Sequence, residues 1–162
     1  MALLPISIVL GVLCGLWFQI TVWIPWLIAW VGFAAWASFF YAGGDNAGFK
    51  KSLSANVAGM LQGSVLFWLW VQYGSGSMIL LSIVIGVLCF IMTFEGNISL
   101  LSAIPGQFVG ASGFFGNLCA HDGAIWVTLL STLACMVIGN LFGIVSVKIT
   151  DLFPKKAEEE SS

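Results

Sequence analysis

Charge is what this chain has least of: 7% of its 162 residues are Asp, Glu, Lys or Arg, and all five cations are lysines. A formal net charge of -2 argues against a nucleic-acid partner. The one histidine stands in Cys119-Ala120-His121, which lacks the ligand count that zinc or copper needs, so no metal site is expected. The four cysteines, Cys14, Cys89, Cys119 and Cys135, sit among apolar or small residues and read as small hydrophobes, not as a disulfide or redox framework. There is no Ser-His-Asp constellation, phosphate loop or paired catalytic carboxylate. The sequence therefore predicts no enzyme, no catalytic residue and no cofactor.

What remains is apolar. Hydrophobic residues make up 60% of the chain and its mean hydropathy is +1.06, more apolar surface than a soluble domain of this size can hide. Six apolar runs, at 4–23, 26–43, 53–73, 78–94, 100–118 and 125–149, are each close to the length that crosses a hydrocarbon core of about 30 Å. The first run has no basic flank before it and no small-residue cleavage pattern after it, so it is expected to be a span and not a signal peptide. The predicted fold is an all-α membrane protein in which residues 1–153 form a single six-helix transmembrane domain. Residues 154–162 read as a solvated cytoplasmic tail.

The runs repeat. Ser7-Ile8-Val9-Leu10-Gly11-Val12-Leu13-Cys14 returns as Ser82-Ile83-Val84-Ile85-Gly86-Val87-Leu88-Cys89 with one change. At offsets of 74 to 76, Leu27, Ala29, Gly32, Ser38 and Phe40 match Leu101, Ala103, Gly106, Ser112 and Phe114, and Leu53, Met60 and Gly63 match Leu129, Met136 and Gly139. Two copies, about 4–74 and 78–149, of three spans each would insert in opposite senses, a 3+3 inverted-topology repeat. In transporters so built, the substrate path lies at the repeat interface. With six crossings, Lys50 and Lys51 fall on the same side as Lys148, Lys155 and Lys156, which predicts both termini in the cytoplasm. A re-entrant fifth segment would instead separate the two lysine clusters.

Nineteen glycines carry the next layer. Gly11/Gly15, Gly59/Gly63, Gly106/Gly110 and Gly139/Gly143 are four-spaced pairs of the kind that lets helices approach closely in lipid, within the bundle or at a homo-oligomer seam. Span five, with Pro105, Gly106, Gln107, Gly110 and Ser112, is expected to be broken or kinked, and its counterpart in the first copy is Gly32. Span six presents Thr128, Thr132, Cys135, Gly139, Gly143 and Ser146 on one face, and span three presents Ser52, Asn56, Gly59 and Gly63 with Gln62 beside them. Gln19 shares the face of Gly11 and Gly15. Such stripes are either interhelical glue or the lining of a route. The predicted path comprises Gln19, Gly32, Asn56, Gln62, Pro105, Gly106, Gln107, Gly110, Ser112, Phe114, Thr132 and Asn140. Phe114 and Phe115 pair by repeat with Phe39 and Phe40, as a constriction or as lipid-facing filler.

Ionisable side chains near membrane depth are few. Glu95 closes span four, either as a solvated helix end or as a coupling group, and His121 with Asp122 forms a loop pair expected on the outer side. Trp23 and Trp26 flank the first outer turn as interfacial aromatics do.

The stretch from Leu100 through Ile104-Pro105-Gly106-Gln107-Phe108-Val109-Gly110-Ala111, with Gly48 and Lys50 in the earlier loop and the six-span length, resembles the YcdZ-like family of small bacterial inner-membrane proteins. The resemblance implies a bacterial inner-membrane location. It implies no activity, because that family is one of unknown function. The residues themselves point to a channel or facilitator for a small, mostly uncharged solute such as urea, ammonia or an amine, a short alcohol or a protonated weak acid. A proton-coupled carrier using Glu95, His121 or Asp122 and a noncatalytic scaffold or accessory subunit are the rival readings.

Overall fold

The computed structural model describes residues 3–74 and 76–153, which form six α-helices and one 3-10 turn and no strand. In order these are α1 (Leu4–Trp23), α2 (Ala29–Tyr41), α3 (Asn46–Tyr73), α4 (Met78–Glu95), the 3-10 turn Ser99–Leu101, α5 (Ile104–Ala120) and α6 (Ile125–Thr150). The expected tail at 154–162, with Lys155 and Lys156, lies outside the described residues.

Local chemistry sets the helix starts. Asp45 accepts a hydrogen bond from the Gly48 amide at 2.6 Å, and the Ser77 hydroxyl accepts one from the Leu80 amide at 3.3 Å, capping α3 and α4. Pro5 and Pro105 stand in the first turns of α1 and α5, where a missing N–H costs nothing because that amide has no intrahelical partner. The interruption expected in the fifth span is thus not at Pro105. Pro105 begins α5 and does not interrupt it, the helix continues unbroken to Ala120, and the irregular backbone lies ahead of it at Ser102 and Ala103.

Three helices, α1, α4 and α6, are long and apolar enough to cross a membrane. The 13 residues of α2 span about 20 Å and the 17 of α5 about 25 Å, short of a core of about 30 Å. The 28 residues of α3 are long enough but less apolar, and they carry Lys50 and Lys51 near the start.

Contacts between helices follow one scheme. The closest pairs are α3 with α5 and α2 with α6. Both pairs are parallel: Gly59 packs on Gln107 and Gly63 on Ala111, while Gly32 packs on Gly139 and Phe39 on Gly143. Short turns join α2 to α3 and α5 to α6 as antiparallel hairpins. Outside these four, α1 leans on α6 and α2, and α4 leans on α3 and α5. Trp17 ties α1 to the start of α2 by donating its indole N–H to the Ala29 carbonyl at 2.8 Å. α4 is the loosest element and buries Met92 alone.

The tightest approaches are backbone on backbone. A Cβ at Gly59 would fall on the Gln107 carbonyl, one at Gly110 on the Asn56 carbonyl, and one at Gly139 on the Gly32 carbonyl. These glycines let main chains touch where no apolar driving force exists between helices. Gly11 and Gly15 behave otherwise. They face outward with nothing near the position a Cβ would take.

Candidate functional site

The inner faces of α2, α3, α5 and α6 enclose two clusters of uncharged polar side chains. The first centres on Asn56, which is fully buried. Its amide nitrogen donates to the Gly106 carbonyl at 2.9 Å and to the Ser38 hydroxyl at 3.1 Å, and its oxygen accepts from Asn140 Nδ2 at 3.0 Å. Ser38 and Ser52 share a short hydroxyl contact beside it. One side chain thus joins all four inner helices. Single Asn or Gln residues are effective interhelical connectors in lipid because hydrocarbon offers their amides nothing else to bond.

The second cluster is Asn117, Ser131 and Thr132. Asn117 Nδ2 lies 2.7 Å from the Thr132 hydroxyl and 3.2 Å from that of Ser131, and Ser131 donates to the Trp26 carbonyl at 2.5 Å. Along α6, Thr132 and Asn140 are eight residues, or about 12 Å, apart. Val31, Phe114 and Met136 fill the layer between, each fully buried, with the Met136 methyl and Val31 against the open flank of Gly113. Phe114 is wedged edge-on against Phe67 and Phe115 at centroid distances of 6.2 and 5.4 Å.

The irregular stretches before α2 and α5 are held by side chains of this interior. The Ile28 amide donates to the Cys135 sulfur at 3.3 Å, the Trp26 carbonyl accepts from Ser131, and the Leu101 carbonyl accepts from Gln107 Nε2 at 3.2 Å. Non-helical backbone at membrane depth persists only where protein satisfies it in this way.

Of the path residues read from sequence, Gly32, Asn56, Gly106, Gln107, Gly110, Phe114, Thr132 and Asn140 lie on these buried faces. Gln19 and Ser112 do not. Gln19 lies on the outward face of α1, and Ser112 is exposed with its hydroxyl bonded back to the Val109 carbonyl. Pro105 is exposed at the helix start. Gln62 is turned toward α4 and donates to Glu95 at 2.6 Å. His121 and Asp122 occupy the α5–α6 turn, where Asp122 has a positive φ of 49°. Sequence reasoning passed over Ser38, Asn117 and Ser131. Ser38 had been marked only as a repeat match, and the other two sit one residue off the stripe or at the end of a glycine-rich run.

Two surface clefts, of about 350 and 320 Å³, have different walls. Leu66, Phe67, Trp70 and Leu81 line the first and Val65, Trp68, Ile125 and Trp126 the second, and neither is lined by a residue of the polar clusters. They suit acyl chains better than a polar solute.

Comparison with known proteins places the chain among relatives without an assigned activity. The family model described as a protein of unknown function, DUF1097, matches residues 7–151. The chain is 33% identical over 150 residues to the uncharacterized protein YahC of Escherichia coli K12, covering 86% of each chain. It is 32% identical over 145 residues to the inner membrane protein YcdZ of the same strain, covering 87% of this chain and 81% of that one. The inner membrane protein YcdZ of Salmonella typhimurium LT2 is 32% identical over 165 residues, with 99% and 94% covered. No solved structure matches the chain.

Proposed function

The chain belongs to the DUF1097 family of proteins of unknown function, and on that premise we propose that it is an inner-membrane facilitator for a small neutral solute. The observation that carries this reading is the uncharged polar interior: Asn56, Asn140, Gln107, Asn117 and Thr132 are fully buried within helices whose outer faces are apolar. Polar groups so placed are costly as mere filler and suit a route for hydrogen-bonding cargo. None of the hydrogen bonds in either cluster involves a charged side chain, which fits a neutral cargo and not an ion.

The architecture we propose is a 3+3 inverted repeat with six crossings and both termini in the cytoplasm. It is supported by the pattern of α-helix contacts, since exchanging α1, α2, α3 with α4, α5, α6 carries each main pair of packed α-helices onto another such pair or, for α3 with α6 and α2 with α5, onto itself. The late starts of α2 and α5 are repeat-related as well, and each short helix completes its crossing through the irregular stretch before it. Because α3 and α6 are antiparallel, Lys50, Lys51 and Lys148 gather at one end, which supports assigning that end to the cytoplasm. The two polar clusters are then stations near opposite faces, and Val31, Phe114 and Met136 form the apolar layer a solute must pass.

Stopped-flow swelling of proteoliposomes with urea, glycerol, ammonia, methylamine and acetate tests the proposal against empty vesicles. Acceleration of one or two solutes is the expected result, and unchanged flux across the panel with inserted protein would sink it. A proton-coupled carrier is the second reading, favoured by the Gln62–Glu95 hydrogen bond. In that case uptake by the Glu95→Gln protein loses its dependence on pH, whereas in a plain facilitator it keeps the profile of the parent.

A further inference from the structure

Buried polar atoms in lipid-embedded helices are ordinarily paired within the protein. Among the described residues, the amide oxygens Gln62 Oε1, Gln107 Oε1, Asn117 Oδ1 and Asn140 Oδ1 are buried without a partner, as are Trp36 Nε1, His121 Nε2 and Thr128 Oγ1 elsewhere in the chain. An amide can be turned about to exchange its oxygen and nitrogen, so the partners decide which atom is free. Gln107 Nε2 faces the Leu101 carbonyl, and Asn140 Nδ2 faces the Met136 carbonyl as well as Asn56 Oδ1. A carbonyl only accepts, so those atoms are N–H donors and the free atom in both residues is an oxygen. Asn117 faces two hydroxyls, which donate as readily as they accept, so its free atom is not fixed by its partners. Gln62 belongs to the α3–α4 seam with Glu95.

Asn140 belongs to the hub, and Gln107 is its neighbour along α5. Asn56 bonds Asn140 directly and bonds the carbonyl of Gly106, the residue before Gln107. The nitrogen of Asn56 is committed to Gly106 and Ser38, so its amide adds no free donor. Two unpaired acceptors, Asn140 Oδ1 and Gln107 Oε1, are therefore fully buried here, against one free N–H, the second of Gln107 Nε2, since Leu101 takes only the first.

We propose that this hub selects neutral solutes whose N–H donors equal or outnumber their acceptor lone pairs, the class of ammonia, small primary amines and urea. A polyol is the reverse case, because each hydroxyl brings one donor and two lone pairs, and the surplus lone pairs would stay unpaired in a dry site. A cation is disfavoured because no carboxylate bonds to the hub. This inference rests on the facilitator reading and narrows its cargo.

The test uses the full chain in proteoliposomes, with stopped-flow permeabilities to urea, tetramethylurea and glycerol corrected for empty vesicles, beside osmotic shrinkage in sucrose. Tetramethylurea keeps the carbonyl of urea and has no N–H. The expected result is a protein-dependent urea permeability roughly tenfold or more above those of the other two, the worth of one hydrogen bond. Gln107→Met, similar in length but without the amide oxygen, should lower urea permeability roughly tenfold in protein that remains monodisperse in detergent. Equal acceleration of all three solutes would overturn the selectivity and leave the facilitator standing. Water permeation alone, or no acceleration at all, would overturn both. The methylated series needs no variant, so a misfolded Gln107→Met protein does not blunt it.

Discussion

The most apolar 18-residue stretches of α4 and α6 have mean hydropathies of 2.5 and 2.0, yet 6% of the first and 44% of the second is buried within the chain. In water the more apolar helix would sit deeper. In lipid the ordering reverses, because a leucine face gains nothing by leaving acyl chains for another helix, while small and polar faces gain close packing and hydrogen bonds. The buried face of α6 is accordingly rich in Thr, Ser, Gly and Asn, and α4 keeps its leucines and isoleucines outward. Helices α3 and α1, their mates in the proposed repeat, show the same contrast, with α3 inside and α1 outside.

The largest test of that contrast sets Gly110→Leu against Gly86→Leu. The first side chain would be driven into the Asn56 carbonyl and the Met60 amide, while the second meets open space. Denaturant unfolding in detergent should show a loss of at least about 3 kcal/mol for the inner change and less than about 0.5 kcal/mol for the outer one. Equal tolerance would mean that α5 is not packed backbone to backbone on α3. Next in size is Asn56→Leu, which removes bonds to Gly106, Ser38 and Asn140 together. A loss of about 2–3 kcal/mol by the same measurement is expected, and a neutral result would reduce the hub to filler.

On the periphery the effects shrink. Trp17→Phe removes the one side-chain bond from α1 to the start of α2 while keeping most of the ring in place. Its cost should be about 1 kcal/mol, read as a lowered midpoint with an unchanged slope. Smallest of all, Gly11→Leu with Gly15→Leu should leave monomer stability within about 0.5 kcal/mol. If that pair instead forms a homo-oligomer seam, the double change will shift the protein to a lower mass by multi-angle light scattering while its melting stays put.

How much of this was legible depended on which physical constraint acted. The first helix runs over the same residues, 4–23, that the apolar pattern marked out, and the stripe of Thr128, Thr132, Cys135, Gly139 and Gly143 proved to be a buried face. Yet the equally regular Gly11, Gly15 and Gln19 face points away from the bundle. Spacing says that residues share a face; it does not say whether a helix or a lipid lies opposite, since both are apolar. Pro105 was misread for a related reason. Proline marks helix breaks and helix starts alike, and only the preceding Ser102–Ala103 stretch distinguishes the two.

By itself the sequence determined that this is a membrane protein built of helices and roughly where they run, because in hydrocarbon each segment must satisfy its own backbone and needs a set length of apolar residues to do so. It also held the repetition that ties one half to the other. Only the tertiary structure decided which glycines meet a neighbouring main chain and which amides meet each other. Asn56 and Asn140 are 84 residues apart in the chain, and no local rule of period or propensity brings them within 3.0 Å. That pairing depends on backbones closing over Gly59, Gly110 and Gly139, a matter of shape between helices that no single helix records.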